Sequence, residues 1–369
     1  MKNLSWFQKL IFIVNLGAAI GLVIASFSSS FEPQQSALFY LAGLTYPLFL
    51  LFNIFFILYW AYQRKLVFII SMIACLMGSS NFKSLIAFNS KPKQQETPTF
   101  KIMSFNVRLF NKYGWLEKDH VDKKIIEYIK TESPDIIAFQ EFINITRENL
   151  NYIKEVKKLG YKYYTLEPRN GKYTKHNFFG LITFSKHKIA NWGVAYQNPE
   201  SLRKTISLYT DIVINEKTIR VYNTHFNSIR FIPEDYEFVE NIADNDEEEA
   251  IKKSKNILNK VMISARKRQS EVDFVKSHMD ASPHSIIMLG DFNEPPYSYA
   301  YPQFTAFLED PFLKYGFGIG TTYDGISTIP GLRLDYILHS KDLISTSFYI
   351  GPSQLSDHRP IISNFLIEE

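Results

Sequence analysis

The sequence predicts a layered α/β domain carried behind an apolar helical anchor. Three observations lead there. Long uncharged runs are confined to the first 90 of 369 residues. After Pro98, short apolar runs alternate with amphipathic stretches, the pattern of strands interleaved with helices. The ends of those short runs repeatedly carry Asn, Asp, Glu or His, the residue types of a site built at one edge of a sheet.

The anchor is read over residues 1–90, with helices at about 10–29, 37–62 and 66–88. The first two runs are each long enough to cross roughly 30 Å of hydrocarbon. The third is weaker and holds Lys83. A second apolar run directly behind the first argues against a cleaved leader. Lys2 and Lys9 precede the first run, Arg64 and Lys65 separate the second from the third, and no cation lies between the first and second. The positive-inside rule then predicts three crossings, a multi-pass cell-membrane protein and an extracytoplasmic (periplasmic) catalytic domain. Two crossings would instead place that domain in the cytoplasm. Residues 91–98 read as a polar linker, and 99–369 as the catalytic domain.

Residues 1–98 hold seven basic and two acidic side chains, so the overall charge of +4 belongs to the anchor and the remainder is near neutral. That argues weakly against a general nucleic-acid binder, whose non-specific affinity comes from basic surface. The single cysteine, Cys75, lies in an apolar run, which leaves the catalytic domain no thiol for a disulfide, zinc site or nucleophile.

Strands are predicted over 100–107, 135–139, 179–184, 206–214, 218–222, 285–289, 334–338 and 360–366, and helices over 119–131, 146–159 and 247–278. The acidic stretch Glu234 to Glu249 leads into a helix carrying Lys252, Lys253, Lys255, Lys260, Arg266, Lys267 and Arg268. That order suits the helix dipole.

The strand ends supply the chemistry: Asn106 in Ser104-Phe105-Asn106-Val107-Arg108, Glu141 in Phe139-Gln140-Glu141, Asn223 and His225 in Asn223-Thr224-His225-Phe226, Asp291 and Asn293 in Gly290-Asp291-Phe292-Asn293, Asp335 in Leu334-Asp335-Tyr336-Ile337-Leu338, and Asp357 and His358 in Ser356-Asp357-His358-Arg359-Pro360. Singly, each is explained by a turn in which Asp or Asn bonds its own backbone. Together, in one domain, they point to a site.

This combination resembles the endonuclease/exonuclease/phosphatase family, which includes deoxyribonucleases, abasic-site endonucleases, inositol-polyphosphate 5-phosphatases and neutral sphingomyelinases. The resemblance covers roughly residues 99–369 in the family's motif order. It implies a four-layer α/β sandwich of two packed, mostly antiparallel sheets flanked by helices. It also implies a Mg²⁺ site, with Mn²⁺ as an alternative, held by Glu141, Asn106 and Asp357. His358 would contact phosphate or act as base, Asp335 would orient it, Asp291 with Asn293 would align or deprotonate the attacking water, and His225 would donate to a non-bridging oxygen. Asn223, Arg108 and His176 are implied as substrate-binding residues.

Arg108 departs from the pattern, standing where several nucleases of the family carry a second acidic residue; pairing with a nearby carboxylate competes with phosphate binding there. The loop 169–177, ending in His176 and Asn177, has the Gly, Asn and cationic composition of a phosphate cradle, or of a plain hairpin. Arg268 and Gln269 match a helical arginine of the family, read as a scaffold salt bridge, and Thr322-Tyr323 matches a turn. The expected activity is a membrane-anchored phosphoesterase acting on a lipid head group, nucleotide or nucleic acid, with no protein partner inferred. A membrane-tethered nuclease and a non-catalytic receptor of the same fold are the competing readings.

Overall fold

The computed structural model describes residues 4–89, 100–166, 176–197, 205–241, 246–326 and 331–367. The predicted linker at 91–98 and most of the 169–177 loop lie outside them. Two compact units emerge, one of residues 1–86 with 296–302 and one of the remainder.

The first unit contains α1 (Trp6–Phe27), α2 (Ala37–Leu44), α3 (Tyr46–Tyr62), α4 (Phe68–Met77) and α5 (Ser79–Leu85). Ser5 caps α1 through a reciprocal box with Gln8. The second and third apolar runs, expected as single helices, are each broken. Thr45 separates α2 from α3 with a bend of 58°, and Gly78 separates α4 from α5 with one of 64°. Trp6–Ser30 is the one described helical stretch long and apolar enough by itself to cross a membrane; the bent pairs raise the count to at most three. Asn15 is the polar hub of this unit. Its Nδ2 donates to Ser71 Oγ (2.6 Å) and its Oδ1 accepts from Trp60 Nε1 (2.9 Å), tying α1 to α3 and α4. In apolar surroundings such bonds hold helices together because the unbonded groups would be costly.

The second unit begins with β1 (Ala87–Phe88), β2 (Phe100–Asn106), α6 (Val121–Glu132), β3 (Ile136–Ile145), α7 (Tyr152–Lys158), β4 (Tyr163–Leu166), β5 (Asn177–Ser185), β6 (Ile189–Gln197), β7 (Thr205–Ile214) and β8 (Lys217–His225). It continues with α8 (Pro233–Glu240), α9 (Glu247–Asp280), β9 (Ser285–Asp291), α10 (Ala300–Thr305), whose first residues are counted with the first unit, β10 (Leu308–Glu309), α11 (Pro311–Tyr315), β11 (Phe317–Gly318), β12 (Asp335–Ser340), β13 (Ile344–Ile350) and β14 (Ile361–Leu366).

Two six-stranded sheets result, ordered β10-β12-β9-β8-β7-β6 and β13-β14-β2-β3-β5-β4. Each contains one parallel pair, β8 with β9 and β2 with β3, and is otherwise antiparallel. The predicted layered sandwich is the observed architecture.

The alternation of strand residues sorts the core. Ile102, Ala138, Val221, Leu289, Ile337 and Ile361 form a cluster drawn from both sheets. Met103, Phe105, Ile137 and Phe139 point the other way and pack with Val121, Ile125 and Ile129 of α6.

Six strands escaped the sequence pattern: β1, β4, β6, β10, β11 and β13. Four of them, β4, β6, β10 and β13, are the edges of the two six-stranded sheets, and β1 and β11 form a two-stranded ribbon. An edge strand is incompletely covered, so it needs no continuous apolar run, and β6 has no fully buried residue. The helix expected over 146–159 is also corrected. Asn149 takes a left-handed conformation (φ 59°), Ile145 and Leu150 form an antiparallel bridge, and α7 starts only at Tyr152 under the cap of Asn151.

Candidate active site

The parity that sorts the core also builds the site. Counting by twos along β2, β8, β9 and β12, the face that carries Ile102, Val221, Leu289 and Ile337 carries Asn106, Asn223 with His225, Asp291 and Asp335 at one end. At that end the apolar filling gives way to polar side chains. Register aligns them: His225 pairs with Asp291, and Asp335 pairs with Asp291 on the other flank.

Asp291 lies at the centre and is fully buried. Its Oδ2 accepts from Asn106 Nδ2 at 3.0 Å and lies 3.5 Å from His225 Nε2 and 3.6 Å from His358 Nε2. Its Oδ1 accepts from the Asn293 backbone N–H at 2.8 Å. The other ring nitrogen of His358, Nδ1, is 2.9 Å from Asp335 Oδ2. Asp335, His358 and Asp291 therefore form one line with an imidazole between two carboxylates.

Burial raises the pKa of Asp291 most; the His358 ring lowers it, Asp335 raises it again, and it is pushed up to about 7. For His358, burial works against the charged ring, but Asp335 and Asp291 outweigh it and hold its pKa well above the ordinary histidine value. The line is built to keep a proton on the imidazole and to hold a carboxylate that ionises near neutrality.

Glu141 owes its position to an irregularity. The pairing of β3 with β5 shifts register between Phe139 and Phe142, and Glu141 takes φ 50° there. A bulge of this kind re-aims a side chain at some cost in strain. The carboxylate remains partly exposed and lies 3.9 Å from His225 Nε2.

The loops are locked from behind. Gly290 adopts φ +136°, and a Cβ there would meet the Thr224 carbonyl oxygen at 1.9 Å, so only glycine allows β9 to approach β8 this closely. Arg268, buried in α9, pairs with Glu294 at 2.8 Å and donates to the Asn227 carbonyl at 2.7 Å, tying the loop after Asp291 to the loop after His225. That is the scaffold role expected of it. Thr322 Oγ1 accepts from the backbone N–H groups of Leu334 (2.9 Å) and Asp335 (3.0 Å), and the Tyr323 ring packs on His358 with centroids 4.8 Å apart.

The endonuclease/exonuclease/phosphatase family model matches residues 103–358, a span that begins in β2 and closes on His358. The chain belongs to the endonuclease/exonuclease/phosphatase family. Members of this family are hydrolases of phosphoesters and are generally dependent on divalent metal. A second family model, described as a domain of unknown function (DUF8431), matches residues 8–85.

Among solved structures, the chain is similar to an endonuclease/exonuclease/phosphatase from Bacteroides vulgatus. The identity is 18% and the TM-score 0.49, over 74% of this chain and 100% of that one. It is also similar to the human Nocturnin catalytic domain with bound sulfate anion, at 17% identity and a TM-score of 0.49 over 74% and 97%. A family protein from Leptotrichia buccalis matches at 20% identity and a TM-score of 0.46 over 73% and 100%. No curated protein matches the chain.

Not every residue singled out from the sequence joins this family site. Asn223 is fully buried and spent on the scaffold: its Oδ1 accepts from Gln140 Nε2 at 2.8 Å, and its Nδ2 donates to the carbonyls of Phe139 (3.1 Å) and Ile182 (3.0 Å). It bridges the two sheets and has no substrate-facing donor. Arg108 pairs with Asp357 at 3.0 Å and lies 4.7 Å above the Trp115 ring. That pairing supplies the carboxylate partner expected as the alternative to phosphate binding, and the Asp357 carboxylate also accepts from Ser356 Oγ.

His176 meets Thr146 and lines a cavity of about 480 Å³ with Lys154, Lys157 and Lys158. None of the residues lining that cavity belongs to the cluster around Asp291. Sequence reasoning missed Gln140, although it directly precedes Glu141 and shares the inward parity of Ala138. In the turn matched by Thr322-Tyr323, the Tyr323 ring packs on His358.

Proposed function

We propose that the chain is a membrane-tethered, magnesium-dependent phosphoesterase that hydrolyses its substrate by direct attack of water. The observation that carries this reading is the Asp335, His358, Asp291 line, with His225 beside Asp291 and Glu141 beside His225.

The donor set suits a hard divalent cation, which prefers oxygen ligands and keeps part of its water shell. Glu141 offers a partly exposed carboxylate, and Asn106 an amide oxygen bonded only to the Arg108 backbone N–H among the described contacts. Asp291, Asp335 and His358 also lie close enough to share an ion. There, however, the buried imidazolium already lies between the two carboxylates and offsets part of their charge, so we assign the cation to Glu141 and Asn106. When bound, it supplies polarisation of the phosphoryl oxygen and compensation of developing charge.

The chain's own groups do the rest. Asp291, ionised near neutral pH, orients the water and accepts its proton. Asn106 Nδ2 and the Asn293 N–H hold its two oxygens in place. His358, kept charged and fixed by Asp335, donates toward the phosphate. His225 adds a second donor as the phosphorus becomes pentacoordinate.

The tether reading rests on the apolar segment of residues 6–30 and on the distribution of Lys2, Lys9, Arg64 and Lys65, which favours three crossings and an extracytoplasmic catalytic unit. The substrate class is a phosphate ester presented at a membrane, of which a lipid head group is the form most concentrated there.

The test is hydrolysis of bis(p-nitrophenyl) phosphate by the full chain in detergent, with magnesium and after chelation. Activity in the first condition and its loss in the second support the reading. Chelator-resistant activity, or activity that survives His358→Ala, overturns it.

A further inference from the structure

The short ribbon of β1 and β11 exposes more apolar surface than a catalytic domain needs. Ala87 points inward and joins the core between the sheets, so alternation along the strand turns Phe88 out. Phe88 pairs directly with Phe317 across the ribbon, and the two rings are 71% and 79% exposed. Ile319 and Leu313 beside them are also exposed. The arrangement is held firmly: Asn89 Nδ2 donates to the carbonyls of Leu313 (2.9 Å) and Gly316 (3.1 Å). Exposed apolar side chains are individually common, but a directly opposed aromatic pair fixed in this way marks a contact surface.

Covalent reach limits what that surface can meet. Phe88 follows Leu85, the last residue of the apolar helical segment, by three residues. Fully extended, three residues span at most about 11 Å. Lys83 and Lys314 flank the patch in the sequence. Apolar rings with cations a few residues away along the chain are what the boundary between acyl chains and phosphate head groups takes.

We propose that the Phe88–Phe317 ribbon is a membrane-surface contact that lies in the head-group region of the bilayer and restrains the catalytic unit against it. This rests on the membrane reading of the apolar segment. It adds a second, non-spanning point of attachment.

Spin labels on the full chain in phosphatidylcholine and phosphatidylglycerol vesicles test it. In a Cys75→Ala background, labels are placed by Phe317→Cys, by Ile319→Cys, which leaves both phenylalanines intact, by Ile13→Cys as the hydrocarbon reference, and by Lys130→Cys as the aqueous reference. Accessibility to oxygen and to a water-soluble nickel complex reports depth. The expected result is at least a threefold loss of nickel accessibility at 317 and 319 relative to 130, with oxygen accessibility between those of 130 and 13. Nickel accessibility equal to that at 130 while position 13 reads as hydrocarbon overturns the ribbon contact alone. Labels at 317 and 319 shielded from both probes show a protein partner and also overturn it. An aqueous reading at position 13 overturns the membrane reading, and the ribbon contact with it.

Discussion

Asp291 is the residue on which the site turns, because it meets Asn106, His225 and His358 at once while buried from water. Its raised pKa has a kinetic sign. A base must be ionised to act, so the rate should climb with pH and level off above about 7. Asp335 is one of the groups that raise Asp291, so Asp335→Asn should move that limb to lower pH while lowering the plateau; a limb left in place in the kcat profile would remove Asp291 as the base. His358→Ala should lower kcat by about 10²- to 10⁴-fold with a smaller change in KM, the range for loss of a positioned proton donor. Most of these residues are legible in the sequence, since each stands at the end of an apolar run. The fates of Asn223 and Arg108 are not, because nothing in a local motif says which neighbour will claim a side chain.

At the scale of elements, two devices hold the catalytic loops. Arg268 of α9 and Glu294 are each about 1% exposed, and removing one partner leaves the other charge buried. Arg268→Met should cost about 3–5 kcal/mol in urea unfolding, a value near zero contradicting a structural role for the pair. Gly290 sits where φ is +136° and the Thr224 carbonyl leaves no room for a Cβ. Gly290→Ala should destabilise the protein by at least about 3 kcal/mol, measured in the same way, and should reduce activity in whatever fraction remains folded. Among the strands, β2, β5, β7, β9, β12 and β14 were readable because burial on both faces demands near-continuous apolar residues. At the edges that demand disappears, and β4, β6, β10 and β13 disappeared from the pattern with it.

For the whole molecule, the proposed tether makes the number of crossings decide which side of a membrane the catalytic unit would face. Alkaline phosphatase fused after Glu369 should be active in cells if three segments cross; an inactive fusion with an active cytoplasmic reporter at the same junction would establish two crossings. The sequence signal is strong for the first two apolar runs and weaker for the third, and the bends at Thr45 and Gly78 were hidden in it. Hydropathy averages over a window and is blind to a local change in chain direction.

What the sequence determined by itself is the layered fold, the apolar segment ahead of it, and the set of polar residues at strand ends. These follow from periodicity and local composition, which each stretch of chain carries independently. The tertiary structure decided which of those residues meet. Strand parity and register bring His225, Asp291 and Asp335 side by side, the bulge at Glu141 re-aims one carboxylate, and packing from Tyr323 and Arg268 fixes the loops around them. Such contacts join residues far apart in the chain, and their energies depend on distance and burial, which exist only once the sheets have formed.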